Sequence, residues 1–356
     1  MAMYRDQIYF ERAHSFAPML QRRRYLNWAN QANKTEAQKA LQYAIWTLAS
    51  VFSTQLEYLR PTLHTAALRI LDDLERTETN PCMVETEHAQ ARVILLIHDL
   101  LKCNFDLAWL GAAAKAFRLL QYIHLHEIDS PQQTAKRASS SRMEDKIHME
   151  EQRRTFWCGY TIDCFINLRS GRSLTFSETA VSVRLPVPEE QFQSGRCTRQ
   201  SLLSEVMNSC TDQSFCPFAE SVIVATLVNR AHMHAQQSQL ELVYSRATSQ
   251  VWNRHFWIEE ALRARCLVLD LHTSEDMHDA DGLLLFAKMA AQCVMLYLCK
   301  VLEAKAFITP DDKEAVSQVK ERTGQAAQEL AMLSIHLQHA SCFKVCGLFI
   351  YAVLQS

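Results

Sequence analysis

The residues best equipped for chemistry in this chain are charges set inside an apolar run. From Glu150 to Gly171 the sequence reads EEQRRTFWCGYTIDCFINLRSG, and Arg153 and Asp163 interrupt its apolar surface. Arg154 lies beside the first and Arg172 comes just after the run. A guanidinium presents a planar fork of donors that matches carboxylate or phosphate. Arg153, Arg154, Asp163 and Arg172 therefore allow two readings. One is an anionic effector site, and the other is a network of pairs that locks this segment to the strap downstream of it. An unpartnered buried charge costs several kcal/mol, roughly 3–5 when a buried pair is broken. Burial thus demands partners, and the pair network is the preferred reading. Trp157 and Tyr160 are read as core rather than as a ligand platform.

Other chemistry is sparser. His124-x-His126 and His232-x-His234 resemble metal pairs on paper, but residues two apart on a helix point about 200° away from each other. His126 stands near a helix end, where its pair could converge, yet hydrogen-bonded or exposed histidines are favoured. Asp72-Asp73-Leu74-Glu75 invites comparison with the acidic metal motif of terpene synthases. The second half of that motif needs Asn, Ser and Glu four residues apart. Asn229 is followed at that spacing by Met233 and Asn253 by Trp257, so a solvated helix end is expected instead. The twelve cysteines contain no pair separated by two residues, which removes the zinc-knuckle pattern. No Gly-rich phosphate loop, Gly-x-Ser-x-Gly elbow or His-Glu-x-x-His motif occurs. With 12 Cys and 14 His, a Cys–His nucleophile cannot be located from sequence. No catalytic residue, metal or cofactor is expected, and the chain is read as not an enzyme.

The element that must position these charges is a helix over about 143–171. At 100° per residue Arg153, Trp157, Tyr160, Cys164, Asn167 and Gly171 share one face, flanked by Phe156 and Leu168. Ile162, Phe165 and Ile166 cover the opposite face, so the helix is apolar nearly all round and belongs between other helices. Gly171 suits a left-handed cap at its end. Arg184-Leu185-Pro186-Val187-Pro188 then reads as an extended strap, because each proline holds its predecessor out of helical geometry. Other helices are expected over about 4–20 (broken near Pro18), 34–58, 62–77, 85–102, 107–125, 217–237, 248–270, 280–306, 311–338 and 340–354. Thr309, Pro310, Asp311 and Asp312 form a good start for the 311 helix. Gly111-Ala112-Ala113-Ala114 permits close approach of a neighbouring helix. Residues 129–142 read as a flexible linker, and about 189–215 as a polar loop. Lys136-Arg137-Ala138-Ser139 matches a basophilic kinase site, a pattern frequent by chance.

Composition agrees. There are 7 glycines and 8 prolines in 356 residues and 48% hydrophobic content, which favours long helices over tight hairpins. The fold class is all-α, a large multi-helix bundle, read as a single domain over 1–356. Net charge is −2 and the pI about 6.7, against a domain pI above about 9 in nucleic-acid binders of the usual kind. Direct DNA contact by these residues is therefore not expected. The longest apolar stretch, Leu283 to Leu302, contains Lys288, Gln292 and Lys300, so no membrane segment is read. The absence of an N-terminal signal segment points to a reducing intracellular compartment.

Arg153, Arg154, Phe156, Trp157, Tyr160 and Asp163, then Gly171-Arg172 and Leu185-Pro186, resemble in order and spacing the fungal-specific transcription factor domain. This is the middle homology region of zinc-cluster regulators. Cys164 stands where the family usually has Arg, and Ser173 where it usually has Pro. A looser second landmark joins Trp109, Gly111, Ala116, Arg118, Leu125 and His126, with His124 in place of a usual Gly. The resemblance is specific over 85–190 and diffuse outside it. It implies a transcription regulator in a fungal nucleus controlling a metabolic or secondary-metabolite gene set. The family's six-cysteine zinc cluster is not in this sequence. DNA would then be reached through that missing domain, a DNA-binding partner or a full-length zinc-cluster regulator, in a homo- or heterodimer. A small-molecule effector and a role as dimerising inhibitor also follow from the resemblance, and a helical enzyme or metabolite-binding protein on the same scaffold is the alternative.

Overall fold

In this computed structural model the described residues are 2–77, 80, 83–102, 107–137, 143–172, 174–209, 213–243, 248–272, 282–303 and 310–337. Cys82, Cys103, Cys210, Cys342, Cys346, Ser139, Ser173, Thr309 and the helix expected over 340–354 lie outside them. Among the described residues every extended element is helical and no sheet occurs. A single bridge between Arg184 and Leu202 is the one strand-like pairing. The fold is all-α. The chain divides into two compact units, Met1–Tyr160 with Thr175–Glu205, and Thr161–Leu174 with Val206–Ser356.

The first unit starts with α1 (Ala2–Ile8) and a π-type turn over Tyr9–Ala13, before the chain straightens through Pro18. Helix α2 (Arg22–Ala29) is capped by the Gln21 side chain, which accepts from Arg24 N–H. Helix α3 (Glu36–Ala49) opens on a capping box between Thr35 and Gln38. Its Leu41, Ile45 and Leu48 are buried at helical spacing, and it packs against α4 (Arg60–Thr77) and α5 (Thr86–Leu101). Helix α6 (Leu107–Tyr122) packs on α5.

Of the small-residue run, Ala113 is buried on α6, but the glycine makes no close approach. Gly111 is exposed with open space around it, whereas a Cβ on Gly159 would collide with the Leu120 side chain on α6. Two further expectations change. Part of the stretch read as linker, Pro131–Arg137, is a helix (α7), started by Ser130, whose hydroxyl accepts from Gln133 N–H. The stretch read as polar loop holds α9 (Glu189–Ser194) and α10 (Leu203–Ser209). These are six and seven residues long, so tertiary contacts rather than propensity sustain them.

Helix α8 (Met143–Ser170) contributes residues through Tyr160 to the first unit and those from Thr161 to the second. Its apolar residues from Phe156 to Leu168 are buried, on all sides of the helix. In the first unit Phe156 is edge-on to Phe176, and its ring is 5.9 Å from Tyr160.

In the second unit α11 (Pro217–Val243), α12 (Thr248–His272), α13 (Gly282–Glu303) and α14 (Pro310–Leu337) pack pairwise. Gly282–Leu302 is long and apolar enough to cross a membrane, but 72% of its apolar window is buried, as in a core helix. Phe165 on α8 meets Phe286 on α13, ring centroids 5.1 Å apart.

Two backbone reversals have positive φ at instructive places. Gly171, at +65°, ends α8 as expected. His124, at +58°, comes after α6 and is the one non-glycine residue with positive φ among those described. An L-residue pays about 1–2 kcal/mol for this conformation. Its exposed side chain pairs with Glu127 at 2.8 Å. His124→Gly is expected to raise stability by about 0.5–1 kcal/mol, the relief of strain exceeding glycine's entropic penalty. A melting curve that moves down would show that the side-chain pair matters more.

Candidate functional site

The charges singled out in the sequence fall in two places. Arg153 and Arg154 belong to the first unit, and Asp163 and Arg172 to the second. Arg154 is fully buried and fully engaged. It donates to Glu150 (3.2 Å), Glu189 (2.5 Å), the Val187 carbonyl (2.7 Å) and the Pro18 carbonyl (2.8 Å). Its guanidinium carbon stands 4.0 Å from the centre of the Phe192 ring, a cation–π contact in a dry setting. Glu150, fully buried one turn earlier, also accepts from Val187 N–H at 2.9 Å and from Arg153 at 3.4 Å.

Arg153 forks onto Asp129 with two donors, at 2.8 and 2.7 Å. Asp129 in turn accepts from Arg184 N–H at 2.9 Å. Burial alone would raise the Asp129 carboxyl, but the hydrogen bonds and charge of Arg153 outweigh it and hold the group below the usual carboxylate range. Glu189 behaves alike: burial pushes up, while His14 and Arg154 bring it down to about 2.

The strap is the common recipient. Leu185 and Val187 are buried, and Pro186 separates them. Trp157 donates to the Arg184 carbonyl at 2.8 Å, and Ser182 N–H donates to the His126 carbonyl at 2.8 Å. Helix, strap and the 126–129 segment are thus tied by side chains and backbone together. In the second unit Asn167 donates to Asp163 Oδ1 at 2.6 Å. Arg172 is exposed, and its carbonyl accepts from His232 at 2.9 Å. Gln236 donates to the Gly171 carbonyl at 3.1 Å, so α11 satisfies two carbonyls of the turn just past the α8 terminus.

The second landmark is dispersed. Trp109 is buried, Gly111 and Arg118 are exposed, and His126 is half-buried with its imidazole pKa lowered chiefly by burial. The His124 and His126 rings stack at 6.2 Å between centroids.

The acidic run on α4 is more than a solvated end. Asp72 and Glu75 pair with buried Arg92 at 2.9 and 2.6 Å and with Lys115 at 3.3 and 3.6 Å, joining α4, α5 and α6. Beside them Glu75, His88, Lys115, Arg118 and Tyr122 line an open cleft of about 590 Å³. Burial raises the thiols of Cys158, Cys266 and Cys293 to about 12 and that of Cys197 to about 11. None of these four is an activated nucleophile at neutral pH.

The sequence reading missed Glu150, Asp129 and Glu189, which complete the network. Glu150 is detectable as an i,i+3 and i,i+4 partner of the two arginines. Asp129 and Glu189 come from other segments and leave no spacing signal.

A model of the family described as "Fungal specific transcription factor domain" matches residues 7–280. This chain belongs to that family. It is 36% identical over 96% of its length to a pigment biosynthesis transcriptional activator of Monascus ruber, covering 61% of that protein. It is 33% identical over 96% to a citrinin biosynthesis transcriptional activator of Monascus ruber, covering 66% of it. It is 34% identical over 95% to an azaphilone cluster-specific transcription factor of Aspergillus niger, covering 72% of it. The chain thus spans about three-fifths to two-thirds of the first two relatives. By their names these proteins are transcription factors or transcriptional activators. No solved structure matches the chain.

Two outcomes test the network. Arg154→Met should lower the unfolding free energy by about 3–5 kcal/mol, since buried Glu150 loses its closer guanidinium and the Pro18 and Val187 carbonyls lose their donor. Adding Glu150→Gln should recover part of that loss. Urea titrations of the single and double variants measure both, and a single-variant loss below about 1 kcal/mol contradicts the network's importance. The second outcome concerns acid. Asp129 and Glu189 have depressed folded pKa values, so their stabilisation is present above the unfolded values near 4. It is lost as pH falls through the folded ones. Urea midpoints should therefore drop between about pH 4.5 and 2, less steeply in Asp129→Asn. An unchanged slope in that variant would remove Asp129 from the account.

Proposed function

We propose that this chain is the regulatory region of a transcription factor that acts in the nucleus on a secondary-metabolite gene cluster. The observation that carries this reading is its 33–36% identity over 95–96% of its length to regulators named for such clusters. A net charge of −2 argues that DNA contact comes from a zinc-cluster domain or from a DNA-binding partner. In this reading the work of the chain is non-enzymatic. The interlocked helix and strap serve as a rigid frame, and the open cleft beside Lys115 and Arg118 is where a small-molecule effector would enter.

Chromatin occupancy of the tagged protein in its host tests the proposal. Sharp occupancy at promoters of one contiguous set of biosynthetic genes is expected, with their transcripts falling on deletion. Occupancy spread without promoter enrichment, in cells where the protein is folded and abundant, would sink it.

A further inference from the structure

Away from the Arg154 network, helices α4 and α5 of the first unit bring three metal-ligating side chains together. His64 lies near the start of α4, and His98 and Asp99 near the end of α5. One ligand atom from each lies within 4.8 Å of the other two. His98 Nδ1 is 2.8 Å from Asp99 Oδ1, and His64 Nε2 is 3.2 Å from the same oxygen. Two donors on a tetrahedral ion with bonds of 2.0–2.1 Å sit about 3.3 Å apart. The 3.2 Å separation is close to what an ion held between these groups would impose, and the 2.8 Å one is a hydrogen bond that a shared ion would replace.

The hydrogen bonding of the cluster is incomplete in a telling way. His64 Nε2 is buried and, although 3.2 Å from a carboxylate oxygen, has no aligned hydrogen bond. For His64 and Asp99, though not for the hydrogen-bonded His98 and Asp99, that is the geometry of ligands that converge on a shared ion. His98 is fully buried, and its Nε2 has no hydrogen-bond partner either. The buried His64 Nε2, which faces the carboxylate, carries a desolvation penalty that an ion bound there would offset. Two imidazoles and one carboxylate suit zinc-class transition ions and are poor for magnesium or calcium, which take oxygen.

We propose that His64, His98 and Asp99 form a binding site for one zinc-class divalent ion, completed by water, that pins α4 to α5. Burial pushes the Asp99 carboxyl up, but the two neighbouring imidazoles bring it down to about 2, and burial keeps His98 below the usual imidazole value. The proposal is independent of the transcriptional reading.

The test uses the whole chain, stripped with a chelator and titrated with Co²⁺ and then Zn²⁺. The wild-type chain should take up one equivalent of Co²⁺ with visible d–d bands, lose them to Zn²⁺, and melt at a higher temperature with either ion. His64→Gln and Asp99→Asn change groups that keep some solvent exposure and leave fully buried His98 in place. Each should weaken binding by more than about 100-fold, beyond the 10- to 100-fold typical of an outer-shell partner. Binding that survives in both folded variants would overturn the site. So would near-ultraviolet thiolate bands on Co²⁺, which would put the ion on the cysteines, or no uptake at all.

Discussion

The first unit depends on one constraint, a guanidinium held entirely out of water. Arg154 can occupy that position only if its donors are all spoken for, and the partners come from its own helix, at Glu150, and from two distant parts of the chain, Pro18 and the 187–189 segment. A buried ion pair is weak evidence of net stabilisation, since well-packed apolar residues often do as well. What the pair network offers here is registration. A strap carrying Pro186 and Pro188 cannot build a ladder of backbone hydrogen bonds. Its polar groups go instead to Glu150, Arg154, Trp157 and Asp129, with the short pairing of Arg184 and Leu185 to 201–202 as the exception. Sliding the strap by one residue would break each of these bonds and turn Leu185 and Val187 out of the core.

The same saturation bears on regulation. An anion competing for Arg153 would have to displace a bidentate carboxylate, and one competing for Arg154 would also have to enter a site with no solvent exposure to speak of. Both costs run to several kcal/mol before any binding energy is gained. An anion would therefore meet accessible donors only elsewhere, on groups that face solvent. The open cleft at the α4–α6 end offers such groups, though its Lys115 is already shared with Asp72 and Glu75.

Much of the helical framework is legible in the sequence because it rests on local signals. The spacing of Leu41, Ile45 and Leu48, the Thr35 to Gln38 box and the glycine ending α8 each act within a turn or two. The all-round apolar character of α8 likewise announces burial. The partners of its charges are not legible in the same way. Asp129 sits in a polar stretch whose composition reads as linker, and only the folded chain shows that its carboxylate is buried against Arg153. The acidic run on α4 fails for the same reason, since Arg92 and Lys115 lie on other helices. Gly111 and Gly159 invert the expectation about small residues: both are helical, but only one faces a neighbour, and the choice of face is a tertiary fact.

Departures from the family pattern show the difference between a residue and the physical demand it meets. The family's glycine before Leu-His is His124 here, yet the backbone keeps the left-handed turn that a glycine would take with least strain. Histidine tolerates it because its side chain is exposed and bonds to Glu127. Gly171 answers the same demand without a side chain, and α11 supplies His232 and Gln236 to close the helix end. What the fold requires at both places is a reversal of φ with the terminal carbonyls satisfied. At 124 a histidine meets that requirement with an exposed, paired side chain, and at 171 a glycine meets it with none.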